Sequence, residues 1–207
     1  MDRKEHWEKI YREKKLADVS WFQKEPARSL AWIREIAPST EAAVVDVGGG
    51  ASLLVDRLLE LGYPHVSVLD ISGAALAVAR ARLGDQAARV RFVEADVTRC
   101  DADLTCDVWH DRAVFHFLTE AEDRSRYVEL LRKSIRPGGH LILAAFGPDG
   151  PEKCSGLPVR RYDLPLIQAE LGSDFALLRE EAELHRTPAD KEQRFRYFLF
   201  ERTAKPT

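Results

Sequence analysis

Between Ala42 and Phe146 the chain alternates short apolar runs with longer amphipathic ones, and no other feature restricts its fold as much. The runs "AAVVDVG", "HVSVLDI", "RVRFVEADV", "CDVWHD" and "HLILAAF" are short and rich in β-branched residues, which suits strands buried on both faces. Among them lie "SLLVDRLLELG", closed by Gly62, "GAALAVARARLG", and "TEAEDRSRYVELLRKSIRPGG", in which Thr119 and Glu122 have the spacing of a capping box. Strands alternating with helices imply a parallel sheet covered on both faces. A short helix is expected near Leu164–Leu171, followed by two more strands, "DFALLREEAEL" and "QRFRYFLFERT". Only "HRTPADKE" separates those two, too little for a helical crossover, so they should pair antiparallel at one edge. Before the first strand, Trp7, Ile10, Tyr11 and Lys14 follow helical spacing over residues 3–17, and a second helix should run from Ala27 to Ile36 and stop at Pro38.

The fold class that follows is α/β, a Rossmann-like seven-stranded sheet, mostly parallel with an antiparallel C-terminal edge hairpin and helices on both faces. In such a sheet ligands bind outside the carboxyl ends of the strands. "DVGGGAS" lies there, at the end of the first strand and the start of a helix. Its glycines allow a tight turn and close approach of a ligand, so a side chain at Gly48 or Gly50 is expected to occupy ligand space and leave the fold intact. A dinucleotide fingerprint needs Gly-x-Gly-x-x-Gly, but Leu53 stands at the third position, and Asp46 beside the loop would repel a pyrophosphate. An acid followed by glycines better suits a ligand carrying positive charge and a ribose. S-adenosylmethionine, with a sulfonium, an ammonium and an adenosine, has that chemistry.

Composition narrows the partners. The chain has 207 residues, enough for one domain with a full core, and a net charge of −3 with no basic footprint for nucleic acid. No apolar run is long enough for a membrane helix and no signal-peptide pattern opens the chain. Cys100, Cys106 and Cys154 lack metal-binding spacing, which points to a reducing, cytoplasmic setting and no metal site.

"VVDVGGGAS" resembles motif I of the class I S-adenosylmethionine-dependent methyltransferases, and further matches follow in order: Asp70 closing strand two, "EADV" closing strand three, "CDVWHDRAVFHFL" around strand four, and "IRPGGHLILAAF" entering strand five. The resemblance is strongest over residues 40–150. It implies S-adenosyl-L-methionine as cofactor, with Asp70 on the ribose hydroxyls and Asp96 on the adenine amino group. The full set of cofactor contacts it implies is Trp21, Asp46, Gly48, Gly49, Gly50, Ser52, Asp70, Ile71, Asp96, Val97 and His110. The N-terminal segment and "HDRAVFHFL" are also similar to bacterial small-molecule and lysine methyltransferase branches.

Residues 1–38 are read as a helical lid segment and 39–207 as a single methyltransferase domain. The aromatics Trp7, Tyr11, Trp21 and Phe22 precede the first strand, where the sheet does not require them; aromatic faces attract a sulfonium. His116 and Asp111, at the exit of strand four, are the candidate catalytic pair, with His116 as base and Asp111 expected to pair with Arg112. Phe22, Phe115, Cys154, Arg160 and Arg161 are candidate substrate contacts, the two arginines implying an anionic acceptor. The expected activity is methyl transfer to a small thiol, carboxylate or similar metabolite, by a monomer or weak dimer. The alternatives are a protein lysine N-methyltransferase and a non-catalytic cofactor-binding module.

Overall fold

The computed structural model describes residues 2–203. Its elements in chain order are α1 (Arg3–Glu13), α2 (Ala27–Ile36), β1 (Val44–Val47), α3 (Leu54–Glu60), β2 (Val66–Asp70), α4 (Gly73–Leu83), β3 (Val90–Glu94), β4 (Cys106–Arg112), α5 (Ala121–Ser134), β5 (Ile135–Phe146), β6 (Lys153–Cys154), β7 (Leu157–Pro158), α6 (Leu164–Leu171), β8 (Phe175–Arg186) and β9 (Glu192–Arg202). Short 3-10 turns intervene, one of them over Phe115–Phe117.

The main sheet has seven strands in the order β3-β2-β1-β4-β5-β9-β8. Strands β1 to β5 pair in parallel. β9 runs antiparallel to β5, and β8 antiparallel to β9 at the edge. The expected α/β sheet with a C-terminal edge hairpin is therefore the observed one. The order reverses between β1 and β4, which creates a crevice above their carboxyl ends.

Each face of the sheet has its own core. Leu30, Ile33, Leu54, Leu58, Leu76 and Tyr197 pack on one face, bringing α2, α3 and α4 onto it. Tyr127, Leu131, Ile167, Leu171 and Phe198 pack on the other, with α5 and α6. The side-chain alternation of a strand divides β4 between the two. Val108 faces the first core and Trp109 the second, so His110 and Arg112 follow Val108 while Asp111 follows Trp109.

Local details depart from the sequence reading at three helix ends, one of them the end of α5, which stops at Ser134 so that "IRPGG" opens β5 instead of closing the helix. α1 stops at Glu13 and a 3-10 turn takes over at Leu16–Asp18. The capping box at α5 does not form: the helix starts at Ala121, which makes Glu120 the cap residue, without a side-chain cap bond. Arg124 instead donates to the Leu118 and Thr119 carbonyls, which holds the chain entering the helix.

α2 belongs to the body of the fold. Ile33 is fully buried, and the Trp32 ring meets Tyr197 edge-on at 5.8 Å. α1 and the turn after it lie across the carboxyl ends of the strands, held by three polar contacts to separate elements. Arg3 pairs with Asp123 at 2.6 Å, Lys4 with Glu94 at 2.6 Å, and the Glu8 carboxylate accepts from Ser72 Oγ and Ala74 N, both at 3.1 Å. The last of these places an acid at the amino end of α4, the favoured end for negative charge.

Candidate functional site

The carboxyl ends of β1 to β4 open onto a cleft. Val47, Gly48, Leu69, Asp70, Ile71, Ala95, Asp96 and Val97 line it from β1, β2 and β3. Arg112, Ala113, Val114, Phe117, Leu118 and Cys154 line it from the β4 exit and the β6–β7 hairpin, and Arg3, Trp7, Tyr11 and Trp21 from α1 and the following turn. The aromatics interlock: Trp7 meets Trp21 at 5.5 Å and Phe117 at 5.1 Å, both edge-to-face.

Each glycine of the loop admits a protein group. A Cβ on Gly48, whose φ is +65°, would strike the Val114 side chain. On Gly49 it would enter the Asp46 carboxylate, and on Gly50 it would lie 2.5 Å from Ala75 Cβ and within the Asp70 carboxylate. The expectation that side chains there would fill ligand space alone is corrected: they would first displace the strand-end acids and Val114. Of the loop, Gly48 lines the cleft. Gly49 and Gly50 shape it, and Ser52 serves the turn, its Oγ accepting from Leu54 N at 3.1 Å.

Asp70 is 6% exposed and bridges the loop to α4. One oxygen accepts from Gly50 N at 3.0 Å and the other from Ser72 N at 2.9 Å. Burial pushes its carboxyl up to about 6, although both amides pull it down. Lone pairs remain on the two oxygens after these bonds. Asp96 also lines the cleft while closing its own turn, accepting from Thr98 N at 2.9 Å and Thr98 Oγ1 at 2.8 Å.

Asp46 and His110 sit beneath the loop. Asp46 Oδ1 lies 2.7 Å from His110 Nδ1, and His110 Nε2 lies 2.8 Å from Ser29 Oγ on α2. The three side chains form the line of a Ser-His-Asp relay, but all are nearly fully buried, so the hydroxyl meets no substrate. Their work is to hold Asp46 against Gly49. Asp46 Oδ2 is buried with no hydrogen-bond partner among the described residues. His110 thus stands behind the loop, one layer from where a cofactor contact was expected.

The β4 exit differs most from the sequence reading. Asp111 points away from the cleft and from Arg112. It accepts from Tyr127 Oη at 2.5 Å, Val114 N at 2.8 Å and Phe115 N at 3.0 Å, anchoring the turn over Phe115–Phe117. Burial pushes its carboxyl up to about 6. Phe115 is buried between Tyr127 and Tyr162, at 4.9 and 5.3 Å, and is a core residue. His116 is fully buried against Phe117 and Phe146, with both ring nitrogens unpartnered among the described residues. Burial, aided by the Arg112 charge, lowers its imidazole to about 3, which leaves it neutral and a feeble proton acceptor. The cleft wall at this point is Phe117.

Of the candidate substrate contacts, Cys154 lines the cleft, its thiol pushed up to about 11 by burial. Phe22 does not line it. Arg160 pairs with Glu170 at 3.0 Å and Arg161 with Glu152 at 3.4 Å, both outside the cleft. Arg112 lines it instead. The strand period held the signal, since it sets Arg112 on the opposite face from Asp111.

These residues fit S-adenosylmethionine on the cleft's own chemistry. The orphaned, buried Asp46 oxygen beside a glycine loop suits a cation. Asp70 and Asp96 face the cleft among apolar side chains, as hydroxyls and an amino-bearing ring require, and the aromatic roof suits a sulfonium. The loop itself, with carboxylates packed against it, does not suit a diphosphate.

A family model described as "Methyltransferase domain" matches residues 44–139. The malonyl-[acyl-carrier protein] O-methyltransferase of Paenibacillus sp. (strain JDR-2) is 28% identical over 131 residues, covering 60% of this chain and 46% of that protein. The chain therefore matches less than half the length of that relative. The EEF1A lysine methyltransferase 2 of Danio rerio is 27% identical over 157 residues, covering 69% of this chain and 67% of that protein. A solved structure concerned with conversion of a disulfide bond into a thioacetal group during echinomycin biosynthesis superposes with a TM-score of 0.79 at 18% identity, covering 99% of this chain and 95% of that one. This last likeness is one of fold.

Proposed function

We propose that the chain is a class I S-adenosylmethionine-dependent methyltransferase that transfers the methyl group to a small-molecule acceptor. The observation that carries this reading is the aromatic wall that α1 and the turn after it add to the cleft: Trp7, Tyr11 and Trp21 line it, and Trp7 packs edge-on against Trp21 and Phe117. A small molecule enters such a site more readily than a lysine on a folded protein.

When bound, the cofactor supplies an electrophilic methyl on a sulfonium, whose carbon–sulfur bond breaks as an acceptor lone pair forms the new bond. The chain's residues do the rest. Asp70 accepts from the ribose hydroxyls, Asp96 from the adenine amino group, and Ile71 and Val97 flank the ring. Asp46, buried beneath the loop and outside the lining, would act on the ammonium through its charge. Trp7, Tyr11 and Trp21 exclude water and present aromatic faces to the sulfonium. With His116 neutral and walled off by Phe117, an acceptor that is already a nucleophile at neutral pH is favoured, such as a thiolate or carboxylate. Incubating the protein with methyl-labelled S-adenosylmethionine and a cell extract split by size tests this. Label in the low-mass fraction is expected. Label confined to protein would replace the reading by the lysine alternative.

Asp70 gives the site a pH dependence. Its folded-state carboxyl titrates near 6, above its ordinary value of 3.8. The ligand-free fold therefore gains stability from this group as pH falls through 6 toward 4. Cofactor hydroxyls need the ionised form, so affinity runs the other way. Calorimetry with S-adenosylhomocysteine should show constant affinity from about pH 7 to 8 and a loss of roughly tenfold by about pH 5. A flat profile to pH 5 would remove Asp70 from the ribose site.

A further inference from the structure

Arg112 closes β4 and lines the cleft, yet its side chain is only 8% exposed. Nε donates to the Tyr197 hydroxyl at 2.9 Å and Nη1 to the Trp21 carbonyl at 3.1 Å. The guanidinium carbon stands 4.4 Å from the Phe195 ring centroid. These partners orient the group; its charge is balanced by Glu183, because Arg28, which also meets Glu183, has a second carboxylate partner in Glu181. Nη2 is buried with no hydrogen-bond partner among the described residues. Its ion-pair partner, Glu183, lies 3.6 Å away and is shared: Oε2 takes Arg28 Nε at 3.1 Å, and Oε1 takes Gln23 Nε2 at 3.3 Å. A buried guanidinium nitrogen held near a carboxylate but without a hydrogen bond leaves a donor for an anionic group at the cleft wall.

Two anions are available to such a cleft, the carboxylate of the cofactor's methionyl end and one on the acceptor. Position separates them. The acids that suit the adenosine end on β2 and just after β3, and the glycine loop follows β1. The partners of Arg112, Tyr197 and Phe195, stand on β9, four strands along from β2 in the sheet order. At about 4.8 Å per strand the strand of these partners lies about 19 Å from β2, while Arg112's own strand, β4, lies about 10 Å from it. Its contacts with Tyr197 and Phe195 turn the guanidinium toward β9 and away from β2, the side we assign to the acceptor.

We propose that Arg112 anchors an anionic group of the methyl acceptor, a carboxylate in its simplest form, and so sets the enzyme's preference for acidic small molecules. This rests on the methyl-transfer reading above. It also moves the anion-recognising role from Arg160 and Arg161, which are paired elsewhere, to Arg112.

The test uses an isosteric probe pair, 3-phenylpropionate and 3-phenylpropionamide, titrated by calorimetry into the full chain with and without saturating S-adenosylhomocysteine. The carboxylate should bind about tenfold or more tightly than the amide, as a charge-assisted bond requires. In Arg112→Gln the ratio should collapse toward one while S-adenosylhomocysteine affinity is retained, and Arg112→Lys should keep much of the ratio. Equal binding of the two probes to the parent chain, or no binding of the carboxylate at millimolar concentration, would overturn the proposal. So would a ratio that survives in Arg112→Gln. Loss of S-adenosylhomocysteine binding with the ratio intact would assign Arg112 to the cofactor's own carboxylate. The probe pair on the parent chain decides the matter even if Arg112→Gln fails to fold. A parent chain that discriminates the probes but never binds S-adenosylhomocysteine would sink the methyl-transfer reading and leave the anion site standing.

Discussion

Substituting Gly50 with valine is expected to disrupt the turn between β1 and α3 and to abolish cofactor binding at the same time. The new Cβ would fall on Ala75 and inside the Asp70 carboxylate. Asp70 cannot retreat without releasing Gly50 N and Ser72 N, and α4 starts at the next residue. Overpacking of this kind costs about 1–3 kcal/mol, and in a chain of this size each kcal/mol is worth roughly 2–4 °C in Tm. A melting curve and a titration with S-adenosylhomocysteine should therefore fail together. Gly62→Ala is the control, because the nearest atom to its Cβ is 3.9 Å away; its φ of +89° makes a modest cost in Tm the expected result, with binding intact. If Gly50→Val melts like the parent and loses only cofactor affinity, the glycine serves ligand space after all.

Removing residues 1–25 should eliminate methyl transfer while leaving the sheet folded. The segment supplies Arg3, Trp7, Tyr11 and Trp21 to the cleft, and it is linked to the body mostly by polar contacts, to Asp123, Glu94, Ser72, Ala74, Arg112, His185, Glu183 and Arg57. The core loses little besides Ile10 and Val19. The cleft loses its roof and the face that orients the methyl donor, and misplacement of reacting groups by even about 1 Å can cost roughly 100-fold in rate. A drop of that order in kcat/KM is expected, with far-UV circular dichroism close to that of the parent. Hydrogen exchange adds a second reading: cofactor should slow exchange in α1. Full activity of the truncated chain, with unchanged exchange in α1, would show that the segment is a surface cap.

The strand–helix alternation was readable because buried parallel strands have so distinctive a composition, and it carried the strand-end residues with it. Gly48, Asp70, Ile71, Asp96 and Val97 reach the cleft because topology puts strand ends there. Trp21 and Cys154 reach it as well. What the sequence hid was direction. In "WHDRAVFHFL" neighbouring residues project to opposite faces, so His110 went to Ser29 on α2, Asp111 to Tyr127 on α5, and Arg112 to the cleft. His116 was displaced from the cleft wall by Phe117, because the chain turns through a 3-10 segment there. Arg160 and Arg161 were drawn off by Glu170 and Glu152, partners that only tertiary packing supplies. Glu8 gave no sequence signal at all, since its role as a cap on α4 depends on α1 lying across the sheet.

The measurement that bears most directly on the central claim is calorimetric titration of the full chain with S-adenosylhomocysteine, S-adenosylmethionine and NAD at pH 7.5. One site per chain with a dissociation constant at or below the range of about 1 μM to 1 mM common for enzyme ligands is expected for the first two, lost in Asp70→Ala, with no heat from NAD. Binding of NAD, or no binding of either sulfur-containing ligand, would contradict the account.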